Sequence, residues 1–318
     1  MKLNKKNKII PLLFYVILIL LFILICTYLI SYFYYKSYNI NINYDIIILF
    51  IQNIKMINIK LNNNKIHNYP NISEIRSVIP LNIFQTWETK DLPSNMQKCI
   101  DKIKEMNPEF KHYLFNDNDC IEFIKKHFND SVVNAYNTLI PGAYKADLWR
   151  YCVLYIQGGI YLDIKYEAIN DFKFMYLMDK EHYVIDYFGI YNGLMISKPN
   201  NKILLECIER IVDNVNKRIY PLSGSLTITG PGLLSNVYLS KFPLFKTFNE
   251  INNFDLVFSS FDITGKIIYN PSNAYIYYKN KLILKKYNEY RNDQDKLTKN
   301  HYSKLYDKKQ IYVDYEGS

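Results

Sequence analysis

From residue 76 onward the apolar positions switch repeatedly between two periods, and that alternation predicts the architecture. A strand is expected over residues 79–84, a helix over 94–106 behind a capping Ser94, and another strand over 112–115. Helices follow over 119–128 and 131–139. Between 143 and 157, Ala146, Trp149, Val153 and Ile156 recur three and four apart, the stripe of an amphipathic helix. Gly158-Gly159 stops that helix, since glycine takes positive φ without strain, and Ile160-Tyr161-Leu162 is rich in strand formers. Strands on either side of Gly189 within 183–197, a helix over 201–217, and a turn at Gly230-Pro231-Gly232 before a further helix complete the pattern. Such an order predicts an α/β fold, a mostly parallel sheet covered by helices, in one domain over residues 76–318.

The polar residues set into this pattern mark candidate chemistry. Asp147 and Arg150 lie three apart and share one helix face, and Asp163 falls at the carboxyl end of the strand after the glycines. Ligands of open α/β sheets bind along that edge, so the three side chains can converge on one polar ligand. A carboxylate there can hold a divalent metal, and an aspartate with an arginine can fix hydroxyls or phosphate oxygens. The plainer reading of Asp147 and Arg150 is a solvated ion pair. If the strand continues, Asp163, Lys165 and Glu167 point to one face, and Lys165 can pair with Glu167 and leave Asp163 free.

The N-terminal part follows a different rule. Residues 9–33 are an almost unbroken, uncharged apolar run, long enough to cross a bilayer. Lys2, Lys5, Lys6 and Lys8 precede it and Lys36 alone follows closely, which puts the N-terminus in the cytosol. The expected organisation is a cytosolic tail (1–8), a transmembrane signal anchor (9–34) ending in an aromatic cluster, a stem (35–75) and the folded domain (76–318). Pro11 is tolerable in the first helical turns.

Charge adds little once it is divided. The net charge is +9, but residues 1–40 hold five lysines and no acid, leaving 34 basic against 30 acidic groups in the rest. That mild excess suits an anionic small ligand and gives no support to nucleic acid as a partner. The five cysteines, Cys26, Cys99, Cys120, Cys152 and Cys207, are too sparse for a disulfide scaffold and lack metal spacing. Asn71-Ile72-Ser73 and Asn129-Asp130-Ser131 are glycosylation sequons, usable if the domain is lumenal.

The segment Ala146-Asp147 to Arg150-Tyr151, an apolar stretch, Gly158-Gly159, a short strand and Asp163-Ile164-Lys165 resembles the signature of the DXD-motif sugar transferases of glycosyltransferase family 32. That family includes fungal mannosyltransferases of the secretory pathway, and clostridial glucosylating toxins carry a related pattern. Ile79-Pro80-Leu81-Asn82-Ile83-Phe84-Gln85-Thr86-Trp87 is similar to the family's opening strand, which normally has histidine where Phe84 stands. Asn107-Pro108-Glu109-Phe110, the run from Asn192 to Pro199, and Thr229-Gly230-Pro231-Gly232 resemble later landmarks, so the likeness spans roughly residues 79 to 235. His301-Tyr302-Ser303 resembles the closing segment that folds back over the donor, with Tyr306 in place of the usual tryptophan.

The resemblance implies a glycosyltransferase A-type nucleotide-binding fold. It implies a membrane-anchored, retaining enzyme that moves a hexose from a nucleotide-sugar donor, a UDP-sugar or GDP-mannose, to a glycan, glycolipid or protein acceptor. Front-face transfer and a Golgi-like, type II location go with it. Gln85, Thr86 and Trp87 would bind the nucleotide, Trp87 either stacking on the base or filling the core. Asp147 and Arg150 would hold the donor sugar, and Asn192, Thr229 and Gly230 would shape the acceptor side. Asp163, with His301, would hold Mn²⁺ or Mg²⁺ against the diphosphate.

Lys165 stands where the family has its second aspartate. Three readings follow: Asp163 holds the metal with a ligand from elsewhere, the ammonium itself neutralises the diphosphate and assists its departure, or catalysis is lost and the protein is a sugar-nucleotide-binding pseudoenzyme.

Overall fold

The computed structural model describes residues 71–186, 189–241, 255–262, 268–269, 273–297 and 301–313. The expected tail, the anchor and all of the stem up to residue 70 lie outside these residues. Among the described residues no helix is long and apolar enough to cross a membrane.

In chain order the elements are β1 (Asn82–Thr86), α1 (Ser94–Met106), β2 (Lys111–Phe115), α2 (Asp117–His127), α3 (Asp130–Thr138), α4 (Gly142–Gln157), β3 (Gly159–Leu162), β4 (Tyr166–Ala168), β5 (His182–Ile185) and β6 (Ile190–Ser197). After these come α5 (Lys202–Asn216), α6 (Pro231–Leu239), β7 (Leu256–Ser259), the two-residue strands β8 (Phe261–Asp262) and β9 (Ile268–Tyr269), β10 (Tyr275–Tyr278), β11 (Lys281–Lys286), α7 (Tyr290–Leu297) and α8 (Tyr302–Asp307). Nine strands form one sheet in the order β2-β1-β3-β6-β5-β7-β10-β11-β4.

The expectation of a mostly parallel sheet is corrected by this topology. β1 pairs in parallel with β2 and β3, and β5 with β7, but the remaining five pairings are antiparallel. The parallel part is confined to strands linked by helical crossovers. Downstream of β3 some consecutive strands are joined directly, as β5 to β6 and β10 to β11, and such links place neighbours antiparallel.

Helix ends follow local chemistry. Asn116 and Asp119 form a reciprocal capping box on α2, and the Asn201 side chain accepts from the first amides of α5. Ser94 does not cap α1 as expected: the cap position is Pro93 and makes no side-chain hydrogen bond. Gly158 and Gly159 take φ of 62° and 117°, and a Cβ on them would lie 2.6 Å from Pro199 Cδ and 2.7 Å from the Asn82 carbonyl oxygen. The pair thus lets α4 turn back directly into the sheet between β1 and β6.

The two sheet faces bury separate cores. Phe84, Tyr161 and Met195 face a layer containing Tyr136, Leu148, Trp149, Ile208 and Leu234, whereas Ile83, Ile160, Leu162 and Ile196 pack with Ile103, Phe172 and Phe174 on the other side. α4 is not the amphipathic surface helix that its apolar stripe predicts. Tyr144 and every residue from Asp147 to Leu154 are buried, so the helix is enclosed and its charges must be neutralised from within. Cys99, Cys120, Cys152 and Cys207 are free and buried.

Candidate active site

The enclosed charges of α4 meet the carboxyl end of β3. Arg150 donates from Nη1 to the Asn192 carbonyl oxygen at 2.8 Å and from Nε to the Ala146 carbonyl at 3.2 Å. Its guanidinium lies 3.3 Å from Asp147 Oδ1 and 3.4 Å from Asp163 Oδ1, over the Tyr161 ring at 4.3 Å. The solvated-pair reading of Asp147 and Arg150 is therefore ruled out: their side chains are 11% and 7% exposed.

Asp147 is held from two further segments. Asn192 Nδ2 donates to its Oδ1 at 2.9 Å, and the Thr229 hydroxyl to its Oδ2 at 2.8 Å. Asn192 Nδ2 also reaches the Tyr151 hydroxyl, which donates to the Gly230 carbonyl at 3.3 Å. Burial pushes the Asp147 pKa up and outweighs Arg150, Thr229 and Asn192, which pull it down.

Asp163 forms the more open half. Lys165 Nζ donates to its Oδ2 at 2.7 Å, Tyr161 to its Oδ1 at 2.9 Å and Tyr191 to its Oδ2 at 3.3 Å. Tyr166 donates to the Tyr191 hydroxyl at 2.8 Å, completing a relay toward the carboxylate. Burial raises the Asp163 pKa, but Lys165, then Arg150, outweigh it and hold the group below its usual range. Burial likewise opposes the charge on Lys165, and Asp163 reverses that. The side chains of Lys165 and Asp163 are 20% and 19% exposed, so they form the solvent-facing rim of the network.

The strand-parity argument for Lys165 fails, and the reason is local. β3 stops at Leu162, residues 164 and 165 form a turn, and pairing resumes only at Tyr166. Lys165 folds onto Asp163 and not onto Glu167, which pairs with Lys102 at 3.3 Å and Lys285 at 3.4 Å.

Asn192 reaches the network through an irregularity in β6. Tyr183 pairs with Met195 but the next residue, Val184, pairs with Tyr191, so residues 192–194 have no partners in β5. This bulge puts Asn192 on the α4 side although Leu194, two residues on, faces the opposite core. Gly193 is required there: a Cβ would lie 2.2 Å from the Tyr191 hydroxyl and 2.6 Å from Asp163 Oδ2.

The remaining sequence candidates sit in other contacts. Gln85 is fully buried, with Oε1 2.7 Å from His112 Nε2 and its amide nitrogen without a partner among the described residues. Thr86 donates to the Phe115 carbonyl at 3.0 Å, joining β1 to β2. Trp87 packs in a core with Met96, Cys99, Ile100, Ile164 and Tyr287, and its buried Nε1 has no partner among the described residues. His301 caps α8, with Nδ1 2.8 Å from Ser303 Oγ and its ring against Tyr302. The C-terminal segment packs against α4, with the Tyr302 ring 5.8 Å from that of Tyr144. Tyr161 and Tyr191, which clamp Asp163, were not among the sequence candidates, because 31 tyrosines in one chain hide the two that matter.

The donor set does not fit a divalent cation in this arrangement. Both oxygens of Asp163 already accept from cationic or hydroxyl donors, and the ammonium of Lys165 occupies the near side. Among the described residues no group of three or more His, Cys, Asp or Glu side chains is arranged to hold a metal ion, whereas Mg²⁺ requires about six oxygen ligands at roughly 2.1 Å.

The result is a largely enclosed ion network at the carboxyl end of β3, with one carboxylate and one ammonium partly exposed to solvent. Residues 93–183 match the family model described as glycosyltransferase sugar-binding region containing DXD motif. The initiation-specific alpha-1,6-mannosyltransferase of Candida albicans is 29% identical over 130 residues, covering 35% of this chain and 34% of that protein. The mannosyl phosphorylinositol ceramide synthase SUR1 of Saccharomyces cerevisiae is 25% identical over 161 residues, covering 51% and 42%. Among solved structures, the PaToxG glycosyltransferase aligns with 61% of this chain and 79% of its own at a TM-score of 0.42 and 16% identity. The chain thus spans about a third to two fifths of the length of these two fungal relatives, and over that part it is similar to DXD-region glycosyltransferases.

Proposed function

We propose that the protein is a glycosyltransferase that moves a hexose from a nucleotide-sugar donor to a glycan or lipid acceptor, with mannose the first donor sugar to test. The observation that carries this reading is the coincidence of the family match over residues 93–183 with the network of Asp147, Arg150, Asp163 and Lys165. A glycosyltransferase A-type fold, anchoring through residues 9–34, a Golgi-like type II location and retention of configuration belong to the same proposal.

In the proposed transfer the bond between the sugar's anomeric carbon and the phosphate oxygen breaks. The acceptor hydroxyl oxygen bonds to that carbon from the same face, and its proton passes to the departing phosphate oxygen. Asp147 and Arg150 are enclosed and held by hydrogen bonds from Asn192 and Thr229 and to the Asn192 carbonyl. Their part is to fix the backbone at Asn192 and the position of Asp163, so that the exposed rim is rigid when the donor arrives.

The test is hydrolysis and transfer from a panel of UDP- and GDP-sugars by the full-length chain in detergent, beside Asp163→Asn. Turnover that disappears in Asp163→Asn is the expected result, and no turnover with any donor would sink the transferase reading. One observation favours a second reading, a binding protein without turnover: Asp163 is already paired with Lys165 at 2.7 Å. Sugar-nucleotide binding with no hydrolysis or transfer would select it.

A further inference from the structure

Lys165 occupies the position of the second carboxylate of the DXD pattern and covers the carboxylate that remains. Its ammonium is fixed by Asp163 at 2.7 Å and flanked by the rings of Tyr166 and Tyr191, at 5.5 and 5.4 Å from their centroids. An ammonium carries three N–H donors, and among the described residues one of them is used, on Asp163. The others are available on the partly exposed side of the network.

The charges of the network sum to zero before any ligand binds, with Arg150 and Lys165 against Asp147 and Asp163. A divalent cation would enter beside two existing cations and compete with an ammonium for an oxygen that is already taken. A diphosphate would meet the opposite situation. Further positive charge comes from the end of β11 and the start of α7: Lys286, the last residue of β11, makes no ion pair among the described residues, and Arg291, in the first turn of α7, pairs with Asp295 at 3.4 Å. After burial, the charges of Lys165 and Arg291 are what hold the Lys286 pKa down, so the three cations share one neighbourhood. The strand end and this segment are tied directly, because Tyr287 N–H donates to the Lys165 carbonyl at 3.1 Å.

We propose that the ammonium of Lys165, supported by Lys286 and Arg291, stands in for the divalent cation against the donor's diphosphate, so that donor binding and transfer need no metal. The assignment rests on the transferase reading for its substrate class. When the sugar leaves, the electron pair of the broken bond stays on the diphosphate, and the ammonium meets that charge through hydrogen bonds without giving up a proton.

The test is calorimetric binding of UDP and GDP to the full-length chain in EDTA and in Mn²⁺, beside hydrolysis of the sugar nucleotides. Affinity for the preferred diphosphate should agree within about twofold between the two buffers, and Lys165→Met should weaken it roughly ten- to hundredfold in both. Lys286→Met, which leaves the Asp163 pair in place, should weaken it by a smaller factor. Lys165→Asp restores the paired carboxylates and should make binding depend on Mn²⁺, a response that a merely structural lysine would not produce. Wild-type binding that is lost in EDTA, equal binding by Lys165→Met, or no binding of either diphosphate would overturn the assignment. EDTA-insensitive binding through Lys165 with no turnover of any donor would uphold Lys165 as the diphosphate's counter-charge and defeat the transferase reading instead.

Discussion

Thr229→Val removes one hydroxyl and keeps the shape of a fully buried side chain. The hydroxyl donates at 2.8 Å to Asp147 Oδ2, so the substitution strips a charge-assisted hydrogen bond from an enclosed carboxylate. Bonds of that kind contribute roughly 1.5–3 kcal/mol, and the Asp147 side chain is only 11% exposed. We expect a loss of about 2 kcal/mol, which in a domain of this size lowers Tm by about 4–8 °C. Thermal unfolding of the full chain followed by circular dichroism measures it, with Thr229→Ser as the control that keeps the donor. The loss should depend on pH. Asp147 already titrates above its unfolded value, so the folded state is the better proton binder and stability falls as pH rises from the unfolded pKa toward the folded one. Removing a group that pulls the pKa down deepens that fall, so the deficit is larger near about pH 7 than near about pH 4. Thr229→Val and Thr229→Ser melting together, or a deficit that grows toward acid, would refute the assignment of the hydroxyl to Asp147.

Gly193→Ala should destabilise by about 1–3 kcal/mol and weaken nucleoside diphosphate binding, because its Cβ would meet the Tyr191 hydroxyl at 2.2 Å; chemical denaturation and calorimetry report the two effects. His112 is pushed down to about 4, first by burial and then by Lys104. Its stabilising contribution is complete above the unfolded value near 6.5 and declines as pH falls from there toward about 4. His112→Gln should flatten the pH dependence of Tm across that window, and an unchanged slope would show that another group titrates there.

Most helices of the domain were legible in the sequence because their limits are set by nearby residues. Gly158-Gly159 ends α4, and Asn201 starts α5. Features that depend on partners distant in the chain were not legible. Strand direction beyond β3, the bulge that turns Asn192 toward Asp147, and the turn that folds Lys165 onto Asp163 are all decided by which segment packs alongside. The same holds for Trp87: its place at the end of β1 was visible, but its burial against Tyr287 and Tyr290 depends on a segment some two hundred residues later. Asp147, Arg150 and Asp163 were found because a charge inside an apolar period stands out. Lys286 and Arg291 were missed because they lie in a polar stretch where two more cations carry no contrast.

Asp147 is closed off by donors that arrive 45 and 82 residues after it in the chain. Both donors, Asn192 and Thr229, lie beyond the segment 93–183 that carries the family match. A fragment ending at the match would retain every charge of the network, yet leave a carboxylate facing an unfinished wall. The matched segment is accordingly not a portable module, and grafting it elsewhere would transplant a signature without its binding surface. During synthesis the site also comes into being late, since the ribosome must release the chain through Thr229 before the last hydrogen bond on Asp147 can close.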